Sequence, residues 1–284
     1  MSNASPPLPR LELRAADAHK GTFGRALLIG GSRGMAGSIS LAGMATLRSG
    51  AGLATLAVPE VILPTVAGFE PSYMTLPLPC DSAGRIILAA EREILAAAEK
   101  ATCVALGPGL GRSPELDLLV RKLYLSLPCP MVCDADGLNA LAGELEKLSP
   151  GGPRVLTPHP GEFRRLMAGA TTAADDEKAV ALATWLKVVL VLKGHETLVS
   201  DGTRTYRNTT GNPGMATGGS GDVLTGVITA LICQGLAPFE AAQLGVYLHG
   251  LAGDLAAKEL GQVGLIASDL VRFLPRAFCV LGYA

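Results

Sequence analysis

The sequence predicts an α/β protein with a mainly parallel central sheet and helices on both faces. Three observations carry that expectation. Short apolar runs alternate with amphipathic helical stretches along most of the chain, and strands joined by helices pair in parallel. The run Val188, Val189, Leu190, Val191, Leu192 is continuously apolar, as a strand buried on both faces requires. Five predicted strands end directly in residues suited to binding, at the sheet edge where such folds hold their ligands.

The elements follow in order. Residues 26–29 are a short apolar run ending in Gly30-Gly31. A helix is predicted over 38–49, with Ser38 as its N-cap and Gly50 and Gly52 closing it. Residues 53–58 read as the next strand and 91–100 as a helix. A strand at 103–106 runs into Gly107-Pro108-Gly109, and a helix over 113–125 carries Pro114 at its first position. Strands at 131–133 and 155–156 lead into Asp134-Ala135-Asp136 and Thr157-Pro158-His159-Pro160. The 188–192 strand leads into Lys193-Gly194. Residues 196–200 and 206–209 flank Asp201-Gly202 as a hairpin. In the helical C-terminal third, Leu224, Val227, Ile228 and Leu231 share one face, and Leu244, Leu248, Leu251 and Leu255 share the next. With no repeat or linker, residues 11–284 are expected to form one domain. Residues 1–10 read as a disordered leader, with Ser2-Asn3-Ala4 resembling a cloning remnant.

Composition excludes several functions. Charged residues make up 17% with a net charge of -1, which leaves no electrostatic footprint for nucleic acid or an anionic membrane. Aromatic residues, at 4%, are too few for base-stacking platforms. No apolar run approaches the roughly 18 residues of a spanning helix, and no signal-peptide core is present. The cysteines Cys80, Cys103, Cys129, Cys133, Cys233 and Cys279 form no C-x-x-C pair and read as inert thiols of a cytoplasmic protein. The sequons at Asn3 and Asn208 are then chance matches.

The strongest chemical signal is Asn212-Pro213-Gly214-Met215-Ala216-Thr217-Gly218-Gly219-Ser220-Gly221-Asp222, which opens an amphipathic helix. Glycines at 218, 219 and 221 leave backbone N–H groups free to face an anion, and the helix dipole adds attraction. Asp222 in the first turn opposes a bound phosphate. Either it caps the helix, or it takes a proton from a hydroxyl attacking phosphorus; the glycines favour the second. No Walker A pattern exists, and Gly107-Pro108-Gly109-Leu110-Gly111 has the wrong spacing for a dinucleotide fingerprint. Asp134-Ala135-Asp136-Gly137-Leu138-Asn139 fails as a calcium loop, since its glycine is displaced and Leu145 holds the twelfth place. Asp134, Asp136 and Asn139 face substrate, support the fold or cap a helix. His159, pinned between two prolines, suits ligand contact. Glu162 either holds Mg²⁺ through water or starts a helix. Lys193 either meets phosphate or snorkels at a strand end. His19 reads as surface and His249 as helix packing.

A glycine-rich loop ending in Gly-Asp, late in an α/β chain, resembles the ribokinase-like superfamily with its three-layer α/β/α fold. The full set is similar to the ADP/ATP-dependent NAD(P)H-hydrate dehydratase family. The matching stretches, in the family's order, are His19-Lys20-Gly21, GGSRGMAG from Gly30, GPGLG from Gly107, DADGLN from Asp134, TPHPGE from Thr157, KGHET from Lys193 and NPGMATGGSGDVLTG from Asn212. The resemblance implies repair of hydrated NADH and NADPH, as their S epimer, driven by ADP or ATP with Mg²⁺. It places Ala36, Gly109, His159 and Asp222 at the hydrated dinucleotide. It places Lys193, Gly194, His195, Glu196, Thr197 and Gly221 at the nucleotide, beside the Gly218, Gly219 and Ser220 loop. It also implies a homotetramer and an epimerase partner, expected here as a separate protein. Two competing readings are a small-molecule kinase of the hydroxyethylthiazole type and a non-enzymatic nucleotide sensor.

Overall fold

The computed structural model describes residues 7–147, 149–167 and 175–283. The helix-strand alternation gives β1 (Arg25–Ile29), α1 (Ala36–Arg48), β2 (Leu53–Pro59), α2 (Leu63–Ala67), β3 (Met74–Leu78), α3 (Glu91–Ala98), β4 (Cys103–Leu106), α4 (Pro114–Ser126), β5 (Met131–Cys133) and α5 (Ala135–Leu141). There follow β6 (Arg154–Leu156), α6 (Pro160–Leu166), α7 (Asp175–Leu186), β7 (Val189–Leu192), β8 (Leu198–Ser200), β9 (Thr205–Arg207), α8 (Ser220–Cys233), α9 (Pro238–Leu260) and α10 (Ala267–Val280). The described strands form a nine-stranded sheet in the order β3-β2-β1-β4-β5-β6-β7-β8-β9. All pairs from β3 through β7 are parallel, and only β8 and β9 run antiparallel to their neighbours.

Strand pleating sends alternate residues to opposite faces, and both faces are buried. Ala26 and Leu28 enter one core with α1, α8, α9 and α10, whereas Leu27 and Ile29 enter the other with α3 to α7. Chain order reverses between β1 and β4, so a crevice opens above their carboxyl ends. There the two glycine loops join: Gly31 N–H donates to Pro108 O at 2.8 Å and Ser32 Oγ to Gly109 O at 2.8 Å. Helices α1 and α8 cross backbone to backbone at Gly226, where a Cβ would lie 2.2 Å from Ala42 O.

Four sequence expectations change. Helix α1 starts at Ala36 with Met35 at the cap, so Ser38 lies in the first turn and caps nothing. The edge strand β3 was not anticipated; its five residues, MTLPL, are short and mostly part-exposed, with Pro77 among them. The hairpin is shorter than expected at its open end, where residues 196–197 and 208–209 drop out, while Thr205 joins at the turn, which Asp201 closes by accepting the N–H groups of Thr203 and Arg204. Residues 1–6 of the expected leader lie outside the described residues. Beyond them Leu8 packs on the core, and the Pro7 carbonyl accepts from Gln243 Nε2 at 3.1 Å.

All six cysteines are free, and Cys103, Cys133 and Cys233 are buried; burial pushes the Cys233 thiol up to about 12. Asn208 is buried and donates to Thr210 O and Val246 O, so its sequon is closed to modification; Asn3 lies outside the described residues. Among the described residues, no helix is long and apolar enough to cross a membrane.

Candidate active site

Helix α8 starts at an unusual cap. Gly219 is the N-cap in the left-handed region, at φ 90°, with no side-chain cap bond. That conformation strains any residue with a Cβ. Ser220 N–H reaches Thr217 O at 3.4 Å, and the next to reach a preceding carbonyl is Val223 N–H, to Gly219 O at 3.1 Å. The N–H groups of Gly221 and Asp222 precede it and have no carbonyl within the helix to meet. They leave an open turn at the positive end of the helix dipole, a geometry suited to an anion. Because Gly219 holds the cap, the capping explanation of Asp222 fails: its carboxylate sits three residues further on.

That carboxylate instead meets α1. Burial raises Asp222 to about 7 and the Asp134 carboxylate adds to the rise, while the Ser38 hydroxyl bond and the Lys193 ammonium oppose it. Gly109 sits against Ser38: a Cβ there would come 3.0 Å from Ser38 Cβ. Ala36 is the first residue of α1. Gly109 thus reaches Ser38, the partner of Asp222, and Ala36 lies two residues before Ser38 in the same helix.

Lys193 does not snorkel. Its Nζ lies 2.7 Å from Asp134 Oδ1 and 3.9 Å from Glu162 Oε2. Asp134 is 1% exposed and accepts a second bond from Thr225 Oγ1 at 2.9 Å. A buried carboxylate needs such partners. A Cβ on Gly221 would come 3.1 Å from Lys193 Nζ, so the ammonium stands against the first turn of α8. Asp134 thus links β5, β7 and α8, and it does not cap α5 with its side chain. Asp136 accepts Gly111 N–H at 2.9 Å and Asn139 Nδ2 at 3.2 Å, and Asn139 Oδ1 accepts Arg165 Nε at 2.8 Å. This pair braces the loops and does not cap either.

His159 is the N-cap of α6. Its Nδ1 accepts Gly161 N–H at 3.0 Å, and Glu162 Oε2 accepts the His159 N–H at 2.8 Å. The cap fixes the imidazole, whose side chain remains half exposed, at the cavity. Glu162 therefore does start a helix. It is buried, and burial raises its carboxyl above the usual range, with Lys193 opposing. Among the described residues, no group of three or more His, Cys, Asp or Glu side chains forms a metal cage. The donor set fits a cation carried on nucleotide phosphates, since Mg²⁺ keeps waters and needs few protein oxygens.

A cavity of about 840 Å³ joins these parts and has room for a nucleotide. Asp134, His159, residues 193–197 and residues 219–222 line it, as does a wall formed by residues 208–213, 215 and 216 with His249 and Gly250. Ala36, Gly109 and Gly218 are absent from that lining. Of the five strand ends, Asp134, His159 and Lys193-Gly194 meet at the cavity; the two glycine loops pack beside it. Sequence reasoning singled out residues 212, 213, 215 and 216 of the wall, missed 208–211 and Gly250, and took His249 for packing. Its Nε2 lies 3.0 Å from Ser220 O. Two glycines inside one helix, Gly250 and Gly253, were the available sign of a close approach there.

Comparison with known proteins agrees with this geometry. The family model of the NAD(P)H-hydrate dehydratases matches residues 26–276. A bifunctional NAD(P)H-hydrate repair enzyme Nnr of Moorella thermoacetica is 47% identical over 276 residues, covering 94% of this chain and 51% of the relative. The chain spans about half the length of the curated relatives it matches. The crystal structure of the ADP/ATP-dependent NAD(P)H-hydrate dehydratase of Bacillus subtilis, co-crystallised with ATP and Mg²⁺, superposes with a TM-score of 0.81 at 32% identity, covering 95% of this chain and 94% of that one. A hydroxyethylthiazole kinase of Pyrococcus horikoshii, at TM-score 0.59 and 16% identity over 90% of this chain and 89% of that one, shares the fold.

Proposed function

The chain belongs to the NAD(P)H-hydrate dehydratase family, and from that premise we propose that it dehydrates the S epimer of NADH-hydrate and NADPH-hydrate at the expense of ADP or ATP. One observation supports the reading above the others. Asp222, held near neutrality, stands in the same helical turn as the open N–H groups of α8, on a nucleotide-sized cavity.

Hydroxide leaves a ring carbon poorly. The site converts the ring hydroxyl into a better leaving group. Asp222 accepts its proton as the oxygen attacks the terminal phosphorus of the nucleotide. The O–P bond forms, and the bond from that phosphorus to the bridging oxygen breaks. The N–H groups of Gly221 and Asp222, with Lys193, face the charge that develops on the transferred group. The ring nitrogen then expels phosphate, a proton leaves the adjacent carbon, and the dihydropyridine returns. His159 lines the cavity, and the hydrated ring with its dinucleotide would extend from it toward Ala36 and Gly109, which lie outside that lining. Mg²⁺ bound with the nucleotide supplies charge neutralisation, and Glu162 would hold it through water.

The assay is recovery of reduced-nicotinamide absorbance from hydrated NADPH and NADH, with ADP and ATP compared side by side. Recovery with release of inorganic phosphate is expected. A stable phosphorylated product without recovery would assign the chain to the kinases instead. The pH dependence follows from Asp222: its carboxylate is the active form and its value is about 7. As pH falls below that value, kcat/KM is expected to drop by about tenfold per unit, and it should level off above pH 8. A profile flat from pH 5 to 8 would remove Asp222 from the base role.

A further inference from the structure

Helix α9 holds the far wall of the cavity along one face. Asp254 accepts Gly211 N–H on Oδ2 at 2.9 Å and Asn212 Nδ2 on Oδ1 at 2.9 Å. Thr210 Oγ1 donates to Tyr247 O at 2.8 Å, and Asn208 Nδ2 to Val246 O at 3.2 Å. Two glycines let the wall touch the helix backbone. A Cβ on Gly250 would lie 2.3 Å from Thr210 Oγ1, and one on Gly253 would lie 2.2 Å from Met215 Sδ. Glycine weakens a helix interior, so its presence here reflects these contacts.

His249, on the same helix, reaches the open turn of α8 itself. Its Nε2 is 3.0 Å from Ser220 O and 3.3 Å from Ser220 Oγ. A carbonyl only accepts, so the ring proton sits on Nε2. Burial lowers the imidazole to about 4, which keeps it neutral and makes it a fixed donor. One helix therefore grips both the wall and the first residue of α8.

We propose that His249 and Asp254 are positioning residues for the bound nucleotide: by holding Ser220 and the 211–212 turn on one helix, they set the distance between the wall and the open N–H groups of α8. The proposal rests on reading the cavity as the nucleotide site. Neither side chain is assigned contact with the reacting atoms, so its removal acts on nucleotide affinity ahead of chemistry.

Calorimetric titration of ADP and ATP into the full chain, beside steady-state kinetics, tests it. Asp254→Asn keeps the shape but turns an N–H toward another donor. It is expected to raise the nucleotide Kd about tenfold, with kcat at saturation within about twofold and the hydrate KM unchanged. His249→Leu is expected to act in the same direction. His249→Gln, whose amide can still donate to Ser220 O, is expected to recover most of the affinity. Wild-type Kd values in folded Asp254→Asn and His249→Leu proteins, or a fall in kcat with Kd unchanged, would overturn the proposal. Failure of the repair reading has a separate signature: a wild-type chain that binds ADP or ATP but leaves hydrated cofactor untouched. The calorimetric comparison stands in that case, whereas a wild-type chain that binds neither nucleotide overturns both.

Discussion

Asp222→Asn is expected to slow phosphate release from hydrated cofactor by about a thousandfold or more while ADP and ATP still bind. Asparagine matches the carboxylate in shape and still accepts from Ser38, but it cannot take a proton. It also removes a negative charge beside the phosphates, so nucleotide affinity should hold or rise. A second readout follows from linkage. Asp222 is raised to about 7 in the folded chain, chiefly by burial, so its ionised form opposes folding. Below about pH 4 the group is protonated in both folded and unfolded chains and contributes no difference. The penalty grows as pH rises toward 7 and is complete above it. The variant escapes that penalty, so its Tm should exceed wild type by about 8 °C at pH 8 and approach it at pH 4. Single-turnover kinetics and paired melts check both parts, and near-normal turnover would end the assignment of Asp222 as base.

The second large effect is on stability. Arg154 is 1% exposed and lies at the start of β6, at the end of the strand opposite the cavity. Its guanidinium donates to Tyr124 O at 2.7 Å, Leu127 O at 2.6 Å, Cys129 O at 3.0 Å and Pro153 O at 3.1 Å. Two of those carbonyls belong to the end of α4, where the helix has no donors of its own left to offer. Tyr124 packs beneath, its ring centre 5.3 Å from the guanidinium carbon. Arg154→Met would fill the space and leave Leu127 O and Cys129 O without a donor, whereas Tyr124 O and Pro153 O keep the N–H groups of Gly151 and Met131. It is expected to lower stability by about 3–5 kcal/mol and Tm by about 10 °C. Arg154→Lys should fall between, because an ammonium supplies fewer donors in a less fixed geometry. Activity per folded molecule should stay near wild type. Thermal and urea unfolding provide the check, and a loss below about 3 °C in the Met variant would mean that water replaces the arginine.

Much of this architecture was legible because it depends on local pattern. Continuous apolar runs such as 188–192 allow only a doubly buried strand, and Pro114 or the Gly218–Asp222 cluster announces a helix start. β3 was not legible: its residues alternate weakly, and what makes it a strand is pairing with β2, two elements earlier. Ser38 shows the same limit at the site. Its type fits a cap, and only the approach of α8 reveals that its hydroxyl meets a carboxylate. Asp134 was ambiguous because its partners, Lys193 and Thr225, lie far away in sequence. His249 was misjudged because an amphipathic helix hides a polar contact on its buried face. Residues that act through the backbone leave glycine patterns in the sequence; residues that act through distant side chains leave none.

The crossing at Gly226 carries a mechanical consequence. It lies one helical turn beyond Asp222, on the same rod, and it presses that rod against the one bearing Ser38. Acid and hydroxyl therefore travel together, like two teeth cut in one block. Any breathing of the cleft must then be taken up away from this crossing, leaving Asp222 in place against Ser38.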